Sequence, residues 1–138
     1  MSEEVLSKLK KYFNFDNFKS DTQKRAIESV LKGKKFRKSI KKIFSWRRQF
    51  ILGQNNVYIS MPTGAGKSLC YLLPGVMQDN KVAIVISPLI ALIKNQLDYL
   101  KSRQISAASL NSTLGTKERD AILGDLKSIK TQTKFLYI

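Results

Sequence analysis

The chain has 138 residues, 43% of them apolar, which suits one packed domain or part of a larger one and excludes global disorder. Histidine is absent, which excludes Ser-His-Asp catalysis and His-ligated metal sites within this sequence, and the single cysteine excludes an internal disulfide. The formal net charge of +15 suggests a polyanionic partner.

Neither the first residues nor the apolar runs indicate a membrane or secretory protein. The longest apolar runs, such as residues 82–86, are too short to span a bilayer, and the N-terminus is not a secretory signal. We therefore expect no membrane partner. Cys70 fits a reducing compartment, and we expect it to be a buried, structural thiol.

Hydrophobic periodicity predicts helices and strands that alternate along the chain. Asp21 or Thr22 is the expected cap of the second helix, and Thr116 is the expected cap of the last. Pro74 is expected to kink or end the helix that contains it. The predicted elements are, in chain order, helices over 3–13 and 21–31, a strand over 57–60, a helix over 67–77, a strand over 82–86, a helix over 88–103, a weaker strand over 105–110, a helix over 117–130 and a strand that begins at 135.

This alternation predicts an α/β fold, with βαβ units and a parallel sheet flanked by helices. The run at 82–86 is continuously apolar and β-branched, as expected of a strand covered on both faces. Because the sequence stops within its last predicted strand, we expect the front portion of a larger α/β domain.

Residues 61–68 read Met-Pro-Thr-Gly-Ala-Gly-Lys-Ser and lie between a predicted strand and a predicted helix. This is the arrangement of a phosphate-binding loop, in a variant form with Met61 where the strict pattern has glycine. Backbone N–H groups of the loop would turn toward an anion, Lys67 would reach the β- and γ-phosphates, and the Ser68 hydroxyl would ligate Mg²⁺. The candidate phosphate-binding residues are Thr63, Gly64, Ala65, Gly66, Lys67 and Ser68.

Three stretches, read together, resemble the RecQ family of ATP-dependent DNA helicases, in superfamily 2. The first is the phosphate loop, continued as far as Pro74. The second resembles the family's single-strand DNA contact motif and reads Ser87-Pro88-Leu89-Ile90-Ala91-Leu92-Ile93 with Asn95-Gln96. The third resembles its adenine-recognition motif and consists of Phe15, Phe18-Lys19 and Gln23.

Two positions depart from the family pattern. Leu72 stands where these proteins usually have glutamine. Lys19 stands where the common adenine motif has arginine, with one more residue than usual before Gln23. Lysine with this longer spacing is most similar to the branch of the fifth animal RecQ paralogue.

The resemblance implies an incomplete RecA-like lobe that binds ATP and Mg²⁺, with DNA, single-stranded or in junctions and duplexes, as partner, and a nuclear location if the source is eukaryotic. It divides the chain into N-terminal helices with the adenine motif (1–33), a basic insertion (34–53) and the first part of the lobe (54–138). The implied adenine-side residues are Phe15, Lys19 and Gln23, the implied catalytic residues are Lys67 and Ser68, and the implied DNA-contact residues are Ser87, Pro88, Leu89, Gln96 and Asn111.

Each of these roles has a simpler structural alternative. A lone glutamine on a helix, such as Gln23, usually faces solvent. Phe15 would stack on a purine, but Phe18 and its aromatic neighbours would equally pack the first helices together. Gln96, a polar position on an otherwise apolar helix, is equally consistent with a partly exposed structural residue.

The function implied by the resemblance is the N-terminal, ATP-binding portion of a 3′–5′ DNA helicase that acts in repair and recombination. The sequence contains neither the family's Asp-Glu box nor its second lobe, so we expect the isolated polypeptide not to hydrolyse ATP at a useful rate. The alternative is a truncated product that binds nucleotide or nucleic acid without hydrolysis. A P-loop NTPase of another purpose is disfavoured by the match at residues 87–93.

Residues 34–53 interrupt the family pattern and carry eight basic residues and no acidic one. They could form a cationic helix that binds DNA, a membrane surface or a calmodulin-like groove, or they could be a nuclear localisation signal. Alternatively, they are the translation of a short in-frame retained intron, because Gly33-Lys34 and residues 50–53 are compatible with splice-site codons. In that case about half of the net charge is unrelated to function.

Overall fold

The computed structural model describes residues 3–32, 57–128 and 130–138, and the basic insertion at 34–53 therefore lies outside the described residues. The chain divides into two compact units. The first comprises Met1–Leu9 and Phe15–Pro74, and the second comprises Lys10–Asn14 and Gly75–Ile138.

The two predicted N-terminal helices are confirmed, as α1 (Glu3–Phe13) and α2 (Asp21–Lys32). Each has one apolar face, and the side chains buried from it are Val5, Leu9, Phe13, Ala26 and Ile27. The expected cap of α2 was wrong. Ser20 Oγ accepts a hydrogen bond from the Gln23 backbone N–H (3.2 Å), so the cap precedes Asp21, which is already helical.

Helix α3 (Leu69–Val76) follows the phosphate loop and is shorter than the predicted 67–77. It continues for two residues beyond Pro74 and then ends, as the missing N–H of proline favours. Cys70 is 1% exposed, which confirms the expected buried thiol, and burial raises its pKa. This cysteine is therefore a packing residue, with its Sγ 3.9 Å from Met61 Sδ.

The second unit contains a three-stranded parallel sheet in the order β1-β3-β2, which confirms the predicted α/β class. Its strands are β1 (Ala83–Val85), β2 (Ala107–Ser109) and β3 (Phe135–Tyr137). Helix α4 (Ile90–Ser102) connects β1 to β2, and α5 (Thr116–Lys127) connects β2 to β3. These are the two crossovers that parallel strands require.

Strand β3 lies between the other two and is buried along its whole length. The ladder continues past its end, since Ser87 N–H donates to Ile138 O (3.0 Å) and Leu110 N–H donates to Tyr137 O (2.8 Å). The carboxyl ends of all three strands therefore meet at one edge of the sheet, where ligands collect in open α/β folds.

Two predictions about strands were wrong. Residues 57–60 form no strand in the described part of the chain, because none of its three strands pairs with them. The run at 82–86 is not covered on both faces, since Ile84 is 63% exposed and Ile86 is 84% exposed. Continuous apolarity identified the strand but did not decide how many of its faces would be covered.

The connection from α5 to β3 is closed by the Asp125 carboxylate, which lies near the C-terminus of α5. It accepts hydrogen bonds from the backbone N–H groups of Gln132 (2.9 Å) and Thr133 (3.0 Å) and from Thr131 Oγ1 (3.0 Å). At the other end of α5, Gly115 rather than the expected Thr116 is the N-cap residue, and its N–H donates to the Glu118 carboxylate (3.4 Å).

Candidate functional site

The loop at 61–68 combines two left-handed glycines with the start of a helix. Gly64 has φ of 77° and Gly66 has φ of 81°, a region that residues with a Cβ rarely adopt. Ala65 N–H donates to Pro62 O (3.2 Å), and α3 begins directly after Ser68. The loop therefore has two left-handed glycines and an adjacent helix N-terminus, both of which are typical of phosphate-binding loops.

The Lys67 ammonium group is bound by carbonyl oxygens of the loop that contains it. Lys67 Nζ donates to Met61 O (2.9 Å) and to Pro62 O (3.3 Å), and the side chain is exposed. Phosphate oxygens are stronger acceptors than peptide carbonyls, because their hydrogen bonds to an ammonium are charge-assisted on both sides. Lys67 therefore occupies a position from which a bound phosphate could draw it away.

Gln23 is buried against the phosphate loop, at 2% exposure. Its Oε1 accepts from the Lys19 backbone N–H (2.8 Å), and its Nε2 donates to Gly66 O (3.0 Å). A Cβ at position 66 would collide with Nε2, so glycine is needed there for close approach as well as for its φ. The solvent-facing alternative for Gln23 is wrong, because helical spacing alone does not show a contact across more than 40 residues.

Lys19 also reaches the loop, with its Nζ donating to Gly64 O at 2.6 Å. The aromatic candidates differ from one another in exposure. Phe15 is 45% exposed and Phe18 is half-buried. The structure thus brings Lys19 and Gln23 against the phosphate loop, and it leaves the Phe15 ring accessible.

Four of the five candidate DNA-contact residues follow strands, at the carboxyl edge of the sheet or just beyond it. Ser87, Pro88 and Leu89 follow β1, and Asn111 follows β2. Since β3 lies between these strands, the two segments are about 10 Å apart at a strand spacing of about 4.8 Å. Gln96 is half-buried in α4 and so agrees with either expectation for it.

At this edge the Ser87 hydroxyl is buried, and the Asn111 side-chain amide is bonded within its own turn. Ser87 Oγ is buried and has no hydrogen-bond partner within the described residues. Asn111 Oδ1 accepts from Thr113 N–H (3.1 Å) and Thr113 Oγ1 (2.7 Å), which closes a turn. The Pro88 and Leu89 side chains are exposed.

Within ranges 3–32, 57–128 and 130–138, no three His, Cys, Asp or Glu side chains gather in a way that could hold a metal ion. The same residues include no helix long and apolar enough to cross a membrane. Of the residues at the phosphate loop, the Ser68 hydroxyl is the candidate ligand for a cation.

Residues 20–137 match the family model described as DEAD/DEAH box helicase. The chain belongs to the DEAD/DEAH box helicase family. The matched range contains the phosphate loop, Gln23 and the sheet, and a RecA-like lobe is therefore the fold to which these elements belong.

Within this helicase family, the chain is similar to RecQ proteins, which confirms the resemblance found in its motifs. It is 45% identical over 134 residues to ATP-dependent DNA helicase Q5 of Rattus norvegicus, covering 97% of this chain and 12% of the relative. It is 37% identical to the probable ATP-dependent DNA helicase RecS of Bacillus subtilis over 131 residues, which are 94% of this chain and 21% of that protein. It is 34% identical to ATP-dependent DNA helicase hus2/rqh1 of Schizosaccharomyces pombe over 140 residues, which cover 99% of this chain and 9% of that protein.

Proposed function

We propose that this chain is the N-terminal, ATP-binding portion of a RecQ-like 3′–5′ DNA helicase that couples ATP hydrolysis to DNA unwinding in repair and recombination, in the nucleus if its source is eukaryotic. The observation that carries the proposal is the convergence of Lys67, Gln23 and Lys19 on one loop with two left-handed glycines. The names of its relatives agree with it, although the chain spans only a small part of each.

The loop suits the phosphates of a nucleoside triphosphate. It contains no acidic side chain, and Lys67 would exchange its hydrogen bonds with Met61 O and Pro62 O for the β- and γ-phosphates. Bound Mg²⁺ would neutralise developing charge on the phosphates. The Ser68 hydroxyl is the group of this chain that would hold the ion.

The adenine would lie on the Gln23 side of the loop. A glutamine amide can pair with adenine N6 and N7 together, and the Gln23 amide is already held in one orientation by Lys19 and Gly66. The half-exposed ring of Phe15 is available for stacking on the base.

DNA would bind at the carboxyl edge of the sheet, mainly through backbone groups of residues 87–89, with Asn111 and Gln96 as further contacts. The buried Ser87 hydroxyl favours this backbone mode over a side-chain contact. Phosphodiester contact provides affinity without sequence preference, which suits an enzyme that translocates along a strand.

Nucleotide binding tests the proposal first. We expect the 138-residue chain to bind a fluorescent N-methylanthraniloyl ADP in the presence of Mg²⁺, and Lys67→Ala to weaken binding by about tenfold or more, since a charge-assisted hydrogen bond is lost. Lys94→Ala, which removes one exposed charge from α4, is the control and should bind as the wild type does. Equal affinity of Lys67→Ala and the wild type would refute the proposed site.

The alternative is a product that binds nucleotide or nucleic acid without hydrolysing ATP. Hydrolysis needs an oriented water and charge stabilisation at the γ-phosphate in addition to a phosphate-binding loop, so a product that has the loop alone would bind without turnover. Long-read sequencing of the transcript separates the two. A reading frame that continues into an Asp-Glu box supports the helicase, and a stop codon after Ile138 supports the binding-only product.

A further inference from the structure

The peptide that joins Gly64 to Ala65 is held at both of its polar ends. Its carbonyl oxygen, Gly64 O, accepts a hydrogen bond from Lys19 Nζ (2.6 Å), and its N–H donates to Pro62 O (3.2 Å). Pro62 O also accepts a hydrogen bond from Lys67 Nζ (3.3 Å). The Lys19 ammonium is therefore connected, through a single peptide, to a carbonyl that the Lys67 ammonium also contacts.

The two left-handed glycines of the loop differ in how they are restrained. A Cβ at Gly66 would collide with Gln23 Nε2, so that position is packed against a buried side chain. A Cβ at Gly64 would meet no atom within 4 Å, so packing does not restrain that position. A glycine in open space has wide backbone freedom, and the hydrogen bond from Lys19 limits that freedom at Gly64.

We propose that Lys19 is a positioning residue for the phosphate end of the proposed nucleotide site, and that it acts by fixing the Gly64–Ala65 peptide rather than by contacting the base. The RecQ resemblance implies an adenine-side role for Lys19, together with Gln23 and Phe15. The Lys19 backbone N–H donates to Gln23 Oε1 (2.8 Å), whereas its ammonium lies on the phosphate loop. The inference rests on the proposed function and names the end of the nucleotide that the Lys19 side chain serves.

The adenine-side and phosphate-side roles predict different dependences on the ligand. A group that contacts the base contributes binding free energy only when a base is present, so its removal does not affect binding of inorganic pyrophosphate. A group that orders the loop reduces the conformational entropy that phosphate binding must remove, so it acts on pyrophosphate and nucleotide alike. Because the Lys19–Gly64 hydrogen bond is exposed to water and salt, we expect an effect of about two- to tenfold.

The test measures how inorganic pyrophosphate, and separately adenosine, compete with N-methylanthraniloyl ADP for the 138-residue chain in the presence of Mg²⁺. Lys19→Met keeps the apolar stem and removes the ammonium. We expect it to raise the inhibition constant of pyrophosphate about two- to tenfold and to leave that of adenosine unchanged. Lys19→Arg should restore pyrophosphate binding, since arginine retains a cationic donor.

The control is Lys24→Met, which removes an equal charge from α2 and should match the wild type for both ligands. Circular dichroism verifies that all the variants are folded. An unchanged inhibition constant for pyrophosphate in Lys19→Met overturns the proposal, and a loss confined to N-methylanthraniloyl ADP assigns Lys19 to the adenine side. An equal loss for pyrophosphate and adenosine also overturns it, because that result indicates general damage to the site.

Failure of the proposed function is distinguishable from failure of this inference. If the wild type binds neither nucleotide nor pyrophosphate, the proposed function fails, and the restraint on Gly64 is decided by hydrogen exchange of the Ala65 amide. Exchange that is equally fast in Lys19→Met and the wild type then overturns the restraint, and faster exchange in the variant upholds it.

Discussion

Gly75, the first residue of the second unit's main segment, lies against the Phe135 ring of the central strand. A Cβ placed there would lie 2.6 Å from two carbons of the Phe135 ring, a distance that real Cβ atoms essentially never show. Phe135 is fully buried, so its ring has little freedom to move aside. Glycine at this position is therefore a requirement of packing in the second unit.

We expect Gly75→Ala to destabilise the protein by about 1–3 kcal/mol, because overpacking outweighs the gain in helix propensity. Urea unfolding followed by circular dichroism measures this change. The matched control is Gly124→Ala in α5, where an added Cβ meets no atom within 4 Å. It should stabilise the protein by about 0.5–1 kcal/mol. If Gly75→Ala stabilised the protein instead, the Phe135 ring would have to move aside, and the packing requirement for glycine would be refuted.

At the scale of elements, Asp125 joins the end of α5 to the start of β3. The backbone N–H of Gln132 is the main group that holds the pKa of this carboxyl well below its usual range, and Thr133 and Thr131 contribute further hydrogen bonds. A pKa that is lower in the folded state gives stability that is present above the unfolded pKa, about 3.9, and is lost as the pH falls toward the folded value.

We therefore expect Asp125→Asn to lose less stability than the wild type when the pH is lowered, since an amide carries no charge for the N–H donors to stabilise. Thermal unfolding at pH 7 and at pH 3 should show a smaller loss of Tm on acidification in this variant than in the wild type. Asp120→Asn, on the same helix, is the control. A wild-type difference between the two pH values that persists unchanged in Asp125→Asn would refute the role of this carboxylate.

The elements themselves were largely predictable, and the contacts between distant ones were not. Helical spacing identified α4 and a β-branched run identified β1, because those signals are local. Residues 57–60 carry the same local signal but have no ladder partner in the described residues. The contacts of Gln23 and Lys19 with the phosphate loop depend on tertiary structure, and periodicity carries no information about them.

At the scale of the whole molecule, the sheet presents apolar side chains to solvent. Ile84 and Ile86 are two residues apart on β1 and its extension, so their side chains lie on the same face of the sheet. Both are mostly exposed. Parallel sheets normally have both faces covered, and exposed apolar patches promote association. The 138-residue chain should therefore self-associate as its concentration rises.

The double variant Ile84→Thr and Ile86→Thr is expected to reduce this self-association while changing the free energy of unfolding by about 0.5 kcal/mol or less per site, since little buried area is lost. Light scattering across a concentration series measures the association. Leu136→Thr, at a buried position of β3, is the contrasting variant and should cost about 2–4 kcal/mol. If the double variant associates as strongly as the wild type, the exposed face of Ile84 and Ile86 is not the surface that causes self-association.

The central strand of the sheet is the last of the three in chain order. β1 and β2 each make their ladder bonds with β3 and none with each other. A ribosome therefore delivers β1 and β2 before the partner that they share within the described residues, and neither can form its ladder with β3 until residues 135–137 have emerged. During that interval the edges that will pair with β3 are accessible to chaperones and to neighbouring nascent chains.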